Sequence, residues 1–255
     1  MNPSLTLISP NRNRLDFTKP SSQWFIQSIQ WQGYKDFSLL IIDGGSDNYE
    51  DIKKHIEGHN GSIPMKIMQF KIGKDFHKTL LNNIAIRSCQ TDYIATTDVD
   101  ILFGPKFMAC VSELLSPNVM VESRVMYWKE PMAKLVYEGI KNPYNDISGC
   151  KIGRIKKRTT PGAIQCMSKQ SWEKLRGYDE NYIGWGSEDY DLVVRAKMAK
   201  IKTKWLGEST ESIMAFHQPH ARDVKSDLAY QEKNKKILDA VKTYQVNPNG
   251  WGNQP

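Results

Sequence analysis

The sequence has no apolar stretch long enough to cross a membrane as a helix. Such a helix needs about 20 consecutive apolar residues, and no run in the 255 residues approaches that length. The opening residues, MNPSLTLISPNRNR, also lack the basic and then apolar order of a secretion signal. We therefore expect a soluble protein that works in the cytoplasm, with the inner face of the membrane as a second location.

Cysteine is scarce, and its spacing excludes the usual metal and disulfide frameworks. The chain has four cysteines, none of them in a Cys-x-x-Cys pair, so neither a zinc finger nor a disulfide scaffold is indicated. Hydrophobic residues make up 40% of the chain and charged residues 25%. That composition is typical of an ordinary globular domain and not of a disordered chain.

The net charge of +7 fits a partner that carries negative charge. Much of it lies in KIGRIKKR, Lys151 to Arg158, which could face nucleic acid, acidic lipid, an acidic glycan or a sugar nucleotide. A solvated basic loop explains the same residues. Because no recognition helix or zinc finger accompanies the segment, we expect no nucleic acid, and a peripheral contact with a membrane stays open.

Strand-like and helix-like segments alternate through the first hundred residues. Apolar runs that predict strands lie at 5–9, 36–43, 63–71 and 92–98. Helical spacing, with start and stop signals, predicts helices at 21–32, 47–58 and 77–89. This order predicts an α/β fold with a mostly parallel central sheet and helices on both faces.

The second half of the chain is less regular. It predicts a helix at 105–115, a single strand over 118–128, further strands at 162–167 and 201–206, and helices at 168–177, 187–200 and 222–244. Residues 141–160 hold little apolar content and predict a long loop, such as a lid or a binding loop. We expect one domain over residues 1–245, with two halves that meet near residue 104, and a flexible tail over 246–255.

Two Asp-x-Asp pairs occur in the chain, Asp98/Asp100 and Asp189/Asp191, and chance alone supplies about one among 16 aspartates. Asp98 follows a predicted strand, and so does Asp43. Ligands of open parallel sheets bind beyond the carboxyl ends of the strands, which places both acids for binding. Alternate residues of an extended stretch project to the same side, so Asp98 and Asp100 are expected to serve one site.

A second stretch, residues 162–197, contains GWGSED at Gly184 to Asp189, and Met214 and His217 follow three positions apart. With the Asp-Val-Asp, these motifs resemble the β-1,4-galactosyltransferase family and the bacterial chondroitin-polymerase-like enzymes, whose hallmark is Gly-Trp-Gly-x-Glu-Asp. The resemblance spans roughly Leu5 to His220. It implies the Rossmann-like GT-A fold of sugar-nucleotide-dependent glycosyltransferases, with the nucleotide-binding half at 1–104 and the acceptor and catalytic half at 105–245.

The resemblance also implies a divalent metal ion, which neutralises the leaving diphosphate. Asp100 would be its carboxylate ligand, and Asp98 would contact the nucleotide ribose or a water bound to the metal. Met214 and His217 match the family's Met-x-x-His ligands, and His220 is a rival to His217 because HQPH repeats the imidazole. A thioether and an imidazole are softer ligands than oxygen, which favours Mn²⁺ and leaves Mg²⁺ as the second choice.

By the same resemblance, Asp189 is the general base of an inverting sugar transfer, and Glu188 holds hydroxyls of the acceptor or donor sugar. Retaining relatives with a similar segment carry Asn after the Glu, whereas this chain has Asp. Trp185, between two glycines, would stack on a sugar and close over the donor. A helix start with Ser187 as its cap also explains why the two acids stand there.

The family's other nucleotide contacts fall on four residues, Arg12, Arg14, Asp43 and Asn83. The two arginines would bind the diphosphate or the base through planar donors, and Asp43 would accept a hydrogen bond from uracil N3–H. Asn83 lies where the family has an asparagine near the nucleotide, although the polar surface of a helix explains it as well.

We therefore predict a metal-dependent, inverting glycosyltransferase that moves a hexose or N-acetylhexosamine from a UDP-sugar to a glycan or lipid-linked sugar acceptor, in surface polysaccharide or glycan synthesis. Two alternatives stay open. A sugar-nucleotide nucleotidyltransferase shares the metal and the sheet, but usually carries a Gly-rich loop near its start, and SPNRNR has no glycine. A non-catalytic carbohydrate- or nucleic-acid-binding protein gives no reason for acids at Asp98, Asp100 and Asp189.

Overall fold

The computed structural model describes residues 5–128, 134–135, 150–152, 154–155, 158–159, 161–206, 215–221 and 224–253. Its first half alternates strand and helix: β1 (Leu5–Asn11), α1 (Pro20–Gln30), β2 (Phe37–Asp43), α2 (Tyr49–Glu57), β3 (Met65–Gln69), α3 (Lys78–Ser88) and β4 (Tyr93–Thr96). The predicted order of elements is therefore present, with boundaries that differ by a few residues.

The second half contributes shorter elements. They are β5 (Ile101–Phe103), α4 (Phe107–Leu114), β6 (Val119–Glu122), β7 (Val125–Trp128), β8 (Cys150–Ile152), β9 (Arg154–Ile155), β10 (Arg158–Thr159), β11 (Gln165–Ser168), α5 (Lys169–Leu175), α6 (Glu188–Met198), β12 (Lys202–Trp205), β13 (Ala215–His217) and α7 (Val224–Asp239). None of the helices in the described residues is both long and apolar enough to cross a membrane.

The central sheet has seven strands in the order β12-β6-β11-β4-β1-β2-β3. Its strands run parallel except β11, which lies antiparallel between β4 and β6. Parallel strands end at the same edge of a sheet, so the carboxyl ends of β1, β2 and β4 meet there. The amino-terminal end of β11 meets them, because that strand runs the other way.

A second, four-stranded sheet was not predicted from the sequence. Its order is β5-β13-β7-β8, and β9 pairs with β10 in a separate two-stranded ribbon. The predicted single strand over 118–128 breaks at Ser123 and Arg124 into β6 and β7, which belong to different sheets. In the predicted loop of 141–160, the described residues form β8, β9 and β10.

Two hydrophobic cores cover the two faces of the central sheet, which explains the helices on both sides. Alternate residues of a strand point to opposite faces, so Leu5 and Leu7 of β1 enter one core and Ile8 enters the other. Helices α1, α2 and α4 pack in the first core, and α3, α5 and α6 pack in the second. The mixed α/β fold with a mostly parallel sheet is confirmed.

The last described residues contact the body of the domain. Asn247 donates from Nδ2 to the carbonyl oxygens of Arg176 at 2.9 Å and Tyr178 at 2.7 Å. The N–H of Gly252 donates to Glu180 Oε1 at 2.6 Å. Residues 247 and 252 are thus joined to the segment 176–180 by hydrogen bonds.

Candidate active site

Asp98 and Asp100 lie in the turn between β4 and β5, at the carboxyl edge of the central sheet. The sequence predicted an extended stretch whose two side chains serve one site. The turn instead directs them to two neighbouring groups, because Asp98 contacts Lys78 whereas Asp100 faces His217 and His220. The Asp-Val-Asp turn thus joins a cluster of charges to a candidate metal site.

The candidate metal site consists of Asp100, His217 and His220, whose possible ligand atoms lie within 4.8 Å of one another. Nε2 of His220 is 3.3 Å from Oδ2 of Asp100, and Nε2 of His217 is 3.8 Å from Oδ1. Strand β13 places His217 there, because it pairs antiparallel with β5. The N–H of Gln218 also donates to the carbonyl oxygen of Asp100 at 2.8 Å.

The chemistry of these side chains fits a divalent cation. Oδ1 of Asp100 is buried without a hydrogen-bond partner among the described residues. Nδ1 of His220 lies 2.9 Å from the carbonyl oxygen of Ala221, and a carbonyl only accepts, so Nδ1 carries the proton. Burial lowers the pKa of His220, with Asp100 opposing, which leaves the Nε2 lone pair facing a carboxylate. Two facing acceptors are the arrangement that a metal ion completes.

The two histidines, which the sequence treated as rivals, are therefore both present at this site. Met214 lies outside the described residues. Imidazole and carboxylate together suit a borderline ion such as Mn²⁺ better than Mg²⁺, which prefers oxygen alone.

A charged cluster adjoins the metal site and consists of Lys78, Asp98, Glu188 and Asp189. Nζ of Lys78 lies 3.0 Å from Asp98, 3.2 Å from Glu188 and 3.7 Å from Asp189. Burial alone would lower the pKa of Lys78, but the carboxylates, Asp189 foremost, raise it well above its usual value. Lys78 is thus a permanent cation shared among three acids.

Asp189 has the electrostatic properties of a general base. Burial raises the pKa of Asp189 to about 7, with Lys78 opposing the rise and Glu188 and Asp98 adding to it. Its side chain keeps 22% of its surface exposed, so a substrate hydroxyl can reach it. A base is most effective when its pKa lies near the working pH.

The start of α6 is not capped as the sequence suggested. Ser187 has a left-handed backbone, with φ of 75°, and its side chain accepts no capping hydrogen bond. Glu188 and Asp189 then open the helix directly. Their negative charges are favoured by the helix dipole, but no side-chain cap stabilises this start of the helix.

Gly162 makes room for the carboxylate of Asp189. A Cβ at Gly162 would lie 2.3 Å from Oδ2 of Asp189, and the φ of Gly162 is +115°, which side chains rarely adopt. Both facts require glycine at this position.

A buried amide fixes the backbone of Asp189 from below. Nε2 of Gln165 donates to the carbonyl oxygen of Asp189 at 3.1 Å and to Oε1 of Glu122 at 2.7 Å. The hydroxyl of Tyr178 donates to Oε1 of Gln165 at 2.8 Å. Burial raises the pKa of Glu122 well above its usual value, with Gln165 opposing and Asp189 adding to the rise, which favours the protonated form of Glu122.

Trp185 precedes Glu188 by three positions and keeps 42% of its surface exposed. The glycines beside it, Gly184 and Gly186, have φ of +69° and +102°. The N–H of Gly184 donates to the carbonyl oxygen of Phe76 at 2.9 Å. The segment is therefore held in one conformation, with its indole presented to solvent.

The predicted arginines brace loops around the site. Nη1 of Arg12 donates to the carbonyl oxygens of Gly73 at 2.6 Å and Lys74 at 3.1 Å. Nη1 of Arg14 lies 3.4 Å from the carbonyl oxygen of Ala221. Burial is the main cause that lowers the pKa of His220, Asp100 opposes it, and the charge of Arg14 makes a smaller contribution in the same direction as burial. Arg14 thus borders the metal site, and Arg12 lies further out.

Asp43 is fully buried, and its carboxylate is used within the fold. It accepts hydrogen bonds from Asn11 Nδ2 at 2.7 Å, from the N–H of Gly45 at 2.9 Å and from the hydroxyl of Ser46 at 2.5 Å. The loop that it shapes borders a cleft of about 400 Å³, lined by Gly45 to Asp51, Gln69 and Lys71. Asp43 therefore supports this cleft from beneath.

Asn83 is not brought to the site. It is fully buried in α3, where its Nδ2 donates to the carbonyl oxygen of Tyr178 at 2.9 Å and to Oε1 of Glu180 at 2.8 Å. Its Oδ1 accepts from the N–H of Tyr178 at 2.8 Å. These bonds hold the segment before GWGSED against α3, so neither predicted reading of Asn83 describes its place.

Lys78, Gln165 and Gly162 were missed by the sequence reasoning. For Lys78 a signal existed, because a lysine in the first turn of a helix opposes the helix dipole and calls for acidic partners. Gln165 and Gly162 carried none, since only the antiparallel insertion of β11 brings them beneath Asp189.

A family model described as the N-terminal domain of galactosyltransferase matches residues 152–220. The human protein named beta-1,4-galactosyltransferase 4 is 35% identical over 57 residues, which are 22% of this chain and 17% of that protein. The Escherichia coli protein named O-antigen biosynthesis glycosyltransferase WbnJ is 27% identical over 220 residues, 81% of this chain and 78% of that protein.

Two solved structures share the fold. The mannosyltransferase PcManGT from Pyrobaculum calidifontis, in complex with GDP-Man and Mn²⁺, has a TM-score of 0.62 at 16% identity, over 95% of this chain and 66% of that chain. S. aureus TarS 1-349, in complex with UDP-GlcNAc, has a TM-score of 0.59 at 12% identity, over 87% and 60%. At such identities these structures speak for the fold alone, and the chain spans less than two thirds of either.

Proposed function

We propose that the chain, a glycosyltransferase of the GT-A fold, moves a hexose or N-acetylhexosamine from a UDP-sugar to a sugar hydroxyl, with a metal ion and with inversion. The observation that carries the proposal is the Asp-Val-Asp turn, because it sets the candidate metal site directly beside the charged cluster. A leaving diphosphate and an attacking hydroxyl need these two environments next to each other.

The metal site serves the diphosphate. Asp100, His217 and His220 would hold the ion, and a bound Mn²⁺ supplies positive charge to the oxygens of the leaving diphosphate. Mg²⁺ is the second choice because two of the three ligands are imidazoles. Arg14, whose guanidinium borders His220, is placed to contact the same phosphates.

The charged cluster serves the acceptor. Asp189 takes the proton of the acceptor hydroxyl while the hydroxyl oxygen bonds to the anomeric carbon, and the bond to the diphosphate breaks on the opposite face. That displacement inverts the anomeric centre. Asp189 follows Glu188 as in the inverting relatives that the segment resembles, and its pKa of about 7 suits the task.

The other members of the cluster orient these groups. Lys78 favours the ionised form of Asp189, and Glu188 is placed to accept hydrogen bonds from sugar hydroxyls. Asp98 lies between the two environments and would contact the ribose or a water bound to the ion. Trp185 offers a flat apolar surface, of the kind that stacks on a sugar ring.

The nucleoside would occupy the cleft beside Asp43, at the carboxyl ends of β2 and β3. Its volume of about 400 Å³ falls within the range of small-molecule sites. The preference for UDP follows the resemblance to the β-1,4-galactosyltransferases, and TarS, which was solved with UDP-GlcNAc, is consistent with it. The structure solved with GDP-Man makes GDP the nucleotide to test against.

The acceptor would be a glycan or a lipid-linked sugar in O-antigen or other surface polysaccharide synthesis, as the name of the E. coli relative suggests. We also propose that the protein acts in the cytoplasm, with Lys151 to Arg158 as a contact to an acidic membrane surface. No nucleic acid is needed. Residues 1–245 would act as one domain.

The deciding experiment is slow hydrolysis of the donor in the absence of acceptor, with a panel of UDP- and GDP-sugars. Each reaction is run with Mn²⁺, with Mg²⁺ and with a chelator, for the wild type and for Asp100→Ala. We expect release of UDP from one sugar, lost with the chelator and in the variant. A separate reaction with a sugar phosphate and UTP tests the alternative, because release of pyrophosphate would indicate a nucleotidyltransferase. No turnover of any donor, together with no metal-dependent UDP binding, would refute the proposal.

A further inference from the structure

Helix α7 lies across the segment that carries Trp185, and Asn234 ties the two together. Nδ2 of Asn234 donates to the carbonyl oxygens of Ile183 at 3.1 Å and Trp185 at 3.3 Å. Asn234 is fully buried, whereas Lys233 and Lys235 on either side of it are exposed. Both hydrogen bonds of the buried Nδ2 serve the Trp185 segment, whereas Oδ1 has no hydrogen-bond partner among the described residues.

Tyr230, one turn earlier on α7, packs its ring against the backbone of Gly184. A Cβ at Gly184 would lie 2.3 Å from Cγ of Tyr230, and the φ of Gly184 is +69°. Glycine is therefore required twice at this position, for its backbone conformation and for the ring that lies on it. The contact leaves the segment no space to move towards α7.

The hydroxyl of Tyr230 connects α7 to the residues that precede Lys78 of the charged cluster. It donates to Oδ1 of Asp75 at 2.6 Å. The next residue, Phe76, accepts the N–H of Gly184 at 2.9 Å. Two positions further along, α3 begins at Lys78. The position of the Trp185 segment is thus set relative to Lys78 and not only relative to α7.

We propose that Asn234 and Tyr230 are positioning residues that hold Trp185 beside the charged cluster. Because that cluster serves the acceptor, the indole is assigned to stacking on the acceptor sugar, and not to the closure over the donor that the sequence predicted. This inference rests on the proposed function. A Gly-Trp-Gly segment without α7 would sample many conformations, because glycine restricts the backbone least. Fixing it in advance removes an ordering cost from acceptor binding, so the effect belongs to the acceptor KM and not to the donor.

The test uses three single variants of the full chain. Asn234→Ala removes both donated hydrogen bonds, and Tyr230→Phe removes the bond to Asp75 but keeps the ring on Gly184. Leu228→Ala is the matched control, since Leu228 lies on the same helix with 59% of its surface exposed. Amide hydrogen exchange over residues 183–187, the acceptor KM, kcat and metal-dependent UDP binding are measured for each.

For Asn234→Ala we expect exchange over residues 183–187 to accelerate about tenfold or more, since two hydrogen bonds are lost. The acceptor KM should rise about tenfold, with UDP binding and donor hydrolysis within about twofold of the wild type. Tyr230→Phe should show a smaller rise of both quantities, and Leu228→Ala none.

Two results would overturn the inference. In the first, exchange over 183–187 rises no more in Asn234→Ala than in Leu228→Ala. In the second, the acceptor KM rises but UDP binding and thermal stability fall with it, which indicates that α7 supports the whole fold. If the wild type transfers no sugar at all, the proposed function fails by itself, and the exchange measurement still decides whether α7 holds the segment.

Discussion

The ammonium nitrogen of Lys78 lies 3.7 Å from Oδ1 of Asp189. Lys78 comes from the amino-terminal end of α3, and Asp189 from the amino-terminal end of α6. Two helices that lie far apart in the sequence thus place opposite charges in contact at one buried position. Burial raises the pKa of Asp189, and Lys78, which is shared with two other carboxylates, opposes that rise without cancelling it, so the pKa of Asp189 lies at about 7.

The first prediction concerns the pH dependence of transfer. Asp189 accepts a proton only when ionised, so kcat/KM should rise with pH up to about 7 and then level off, following the pKa of Asp189. Lys78→Met removes the positive charge that lowers the pKa of Asp189. The pKa should therefore increase, and the acidic limb of the profile should move to higher pH. A pH–rate profile checks this, with Lys236→Met, whose side chain is 76% exposed, as control. An unmoved limb in Lys78→Met contradicts the electrostatic role.

The second prediction separates chemistry from binding. Asp189→Asn keeps the shape of the side chain and removes the base, so transfer should fall by about 10² to 10⁴. Metal-dependent UDP binding should persist, because Asp100 and the two histidines are untouched. Turnover and calorimetric UDP binding are measured on the same preparation. Near-normal turnover would show that the proton goes to another group.

The third prediction concerns the space around the base. Gly162→Ala places a methyl group 2.3 Å from Asp189 Oδ2 at a backbone φ of +115°, so the carboxylate must move. A displacement of about 1 Å can cost about 10²-fold in rate, and we expect a loss of that order. The matched control is Gly33→Ala, since a Cβ there would meet only Pro105 O at 3.7 Å. Equal rates in the two variants would refute the steric role.

The fourth prediction concerns the metal ligands. His217→Ala and His220→Ala should each weaken Mn²⁺ binding by at least about tenfold, since each removes an imidazole from a set of three. Titration with Mn²⁺, followed by calorimetry or electron paramagnetic resonance, measures this without turnover. His59→Ala serves as control, because His59 is exposed, stacks on His55 and is not part of the Asp100 group. A variant that binds Mn²⁺ as tightly as the wild type identifies a histidine outside the ligand set.

The fifth prediction concerns the stability that Glu122 contributes. Its pKa is raised in the folded protein, so the fold holds that proton more tightly than the unfolded chain does. This contribution is complete below the unfolded pKa of about 4.3 and disappears as the pH rises through the folded value. Glu122→Gln keeps an acceptor for Gln165 and cannot ionise.

The wild type should therefore lose stability relative to Glu122→Gln as the pH rises from the unfolded pKa of Glu122, about 4.3, towards its higher folded pKa. The loss amounts to about 1.4 kcal/mol for each pKa unit between the folded and unfolded states that the pH range crosses. Urea unfolding of both proteins at several pH values measures it. Parallel stability curves would show that Glu122 is ionised in the folded protein.

The first half of the fold could be predicted because each of its strands and helices is recognisable from its own residues. Apolar runs and helical spacing fixed β1 through β4 and the helices between them, and the parallel order followed from the alternation. The break between β6 and β7 at Ser123 could not be predicted, since its cause is the pairing of β7 with the distant strands β8 and β13. The contacts of residues 247–252 could not be predicted for the same reason, because their partners lie around residues 176–180.

The candidate site was predictable in its identities and not in its electrostatics. The motif predicted Asp189, and the resemblance gave it a role, but its raised pKa depends on burial and on Lys78, which is 111 positions away along the chain. Asp43 and Asn83 were assigned to the nucleotide from their positions in the resembled family. In the structure they form hydrogen bonds with other residues of the fold. A polar residue near a site cannot be sorted into ligand contact or support until its partners are known.

The ordered residues 247–253 bear on how the domain forms during translation. Asn247 supplies hydrogen bonds to the carbonyl oxygens of Arg176 and Tyr178, and Trp251 packs against the core that contains α3. A nascent chain cannot make these contacts while the segment is still inside the ribosomal exit tunnel. The hydrogen bonds from Asn247 to residues 176 and 178, just before GWGSED, therefore form only after all seven strands of the central sheet have left the tunnel.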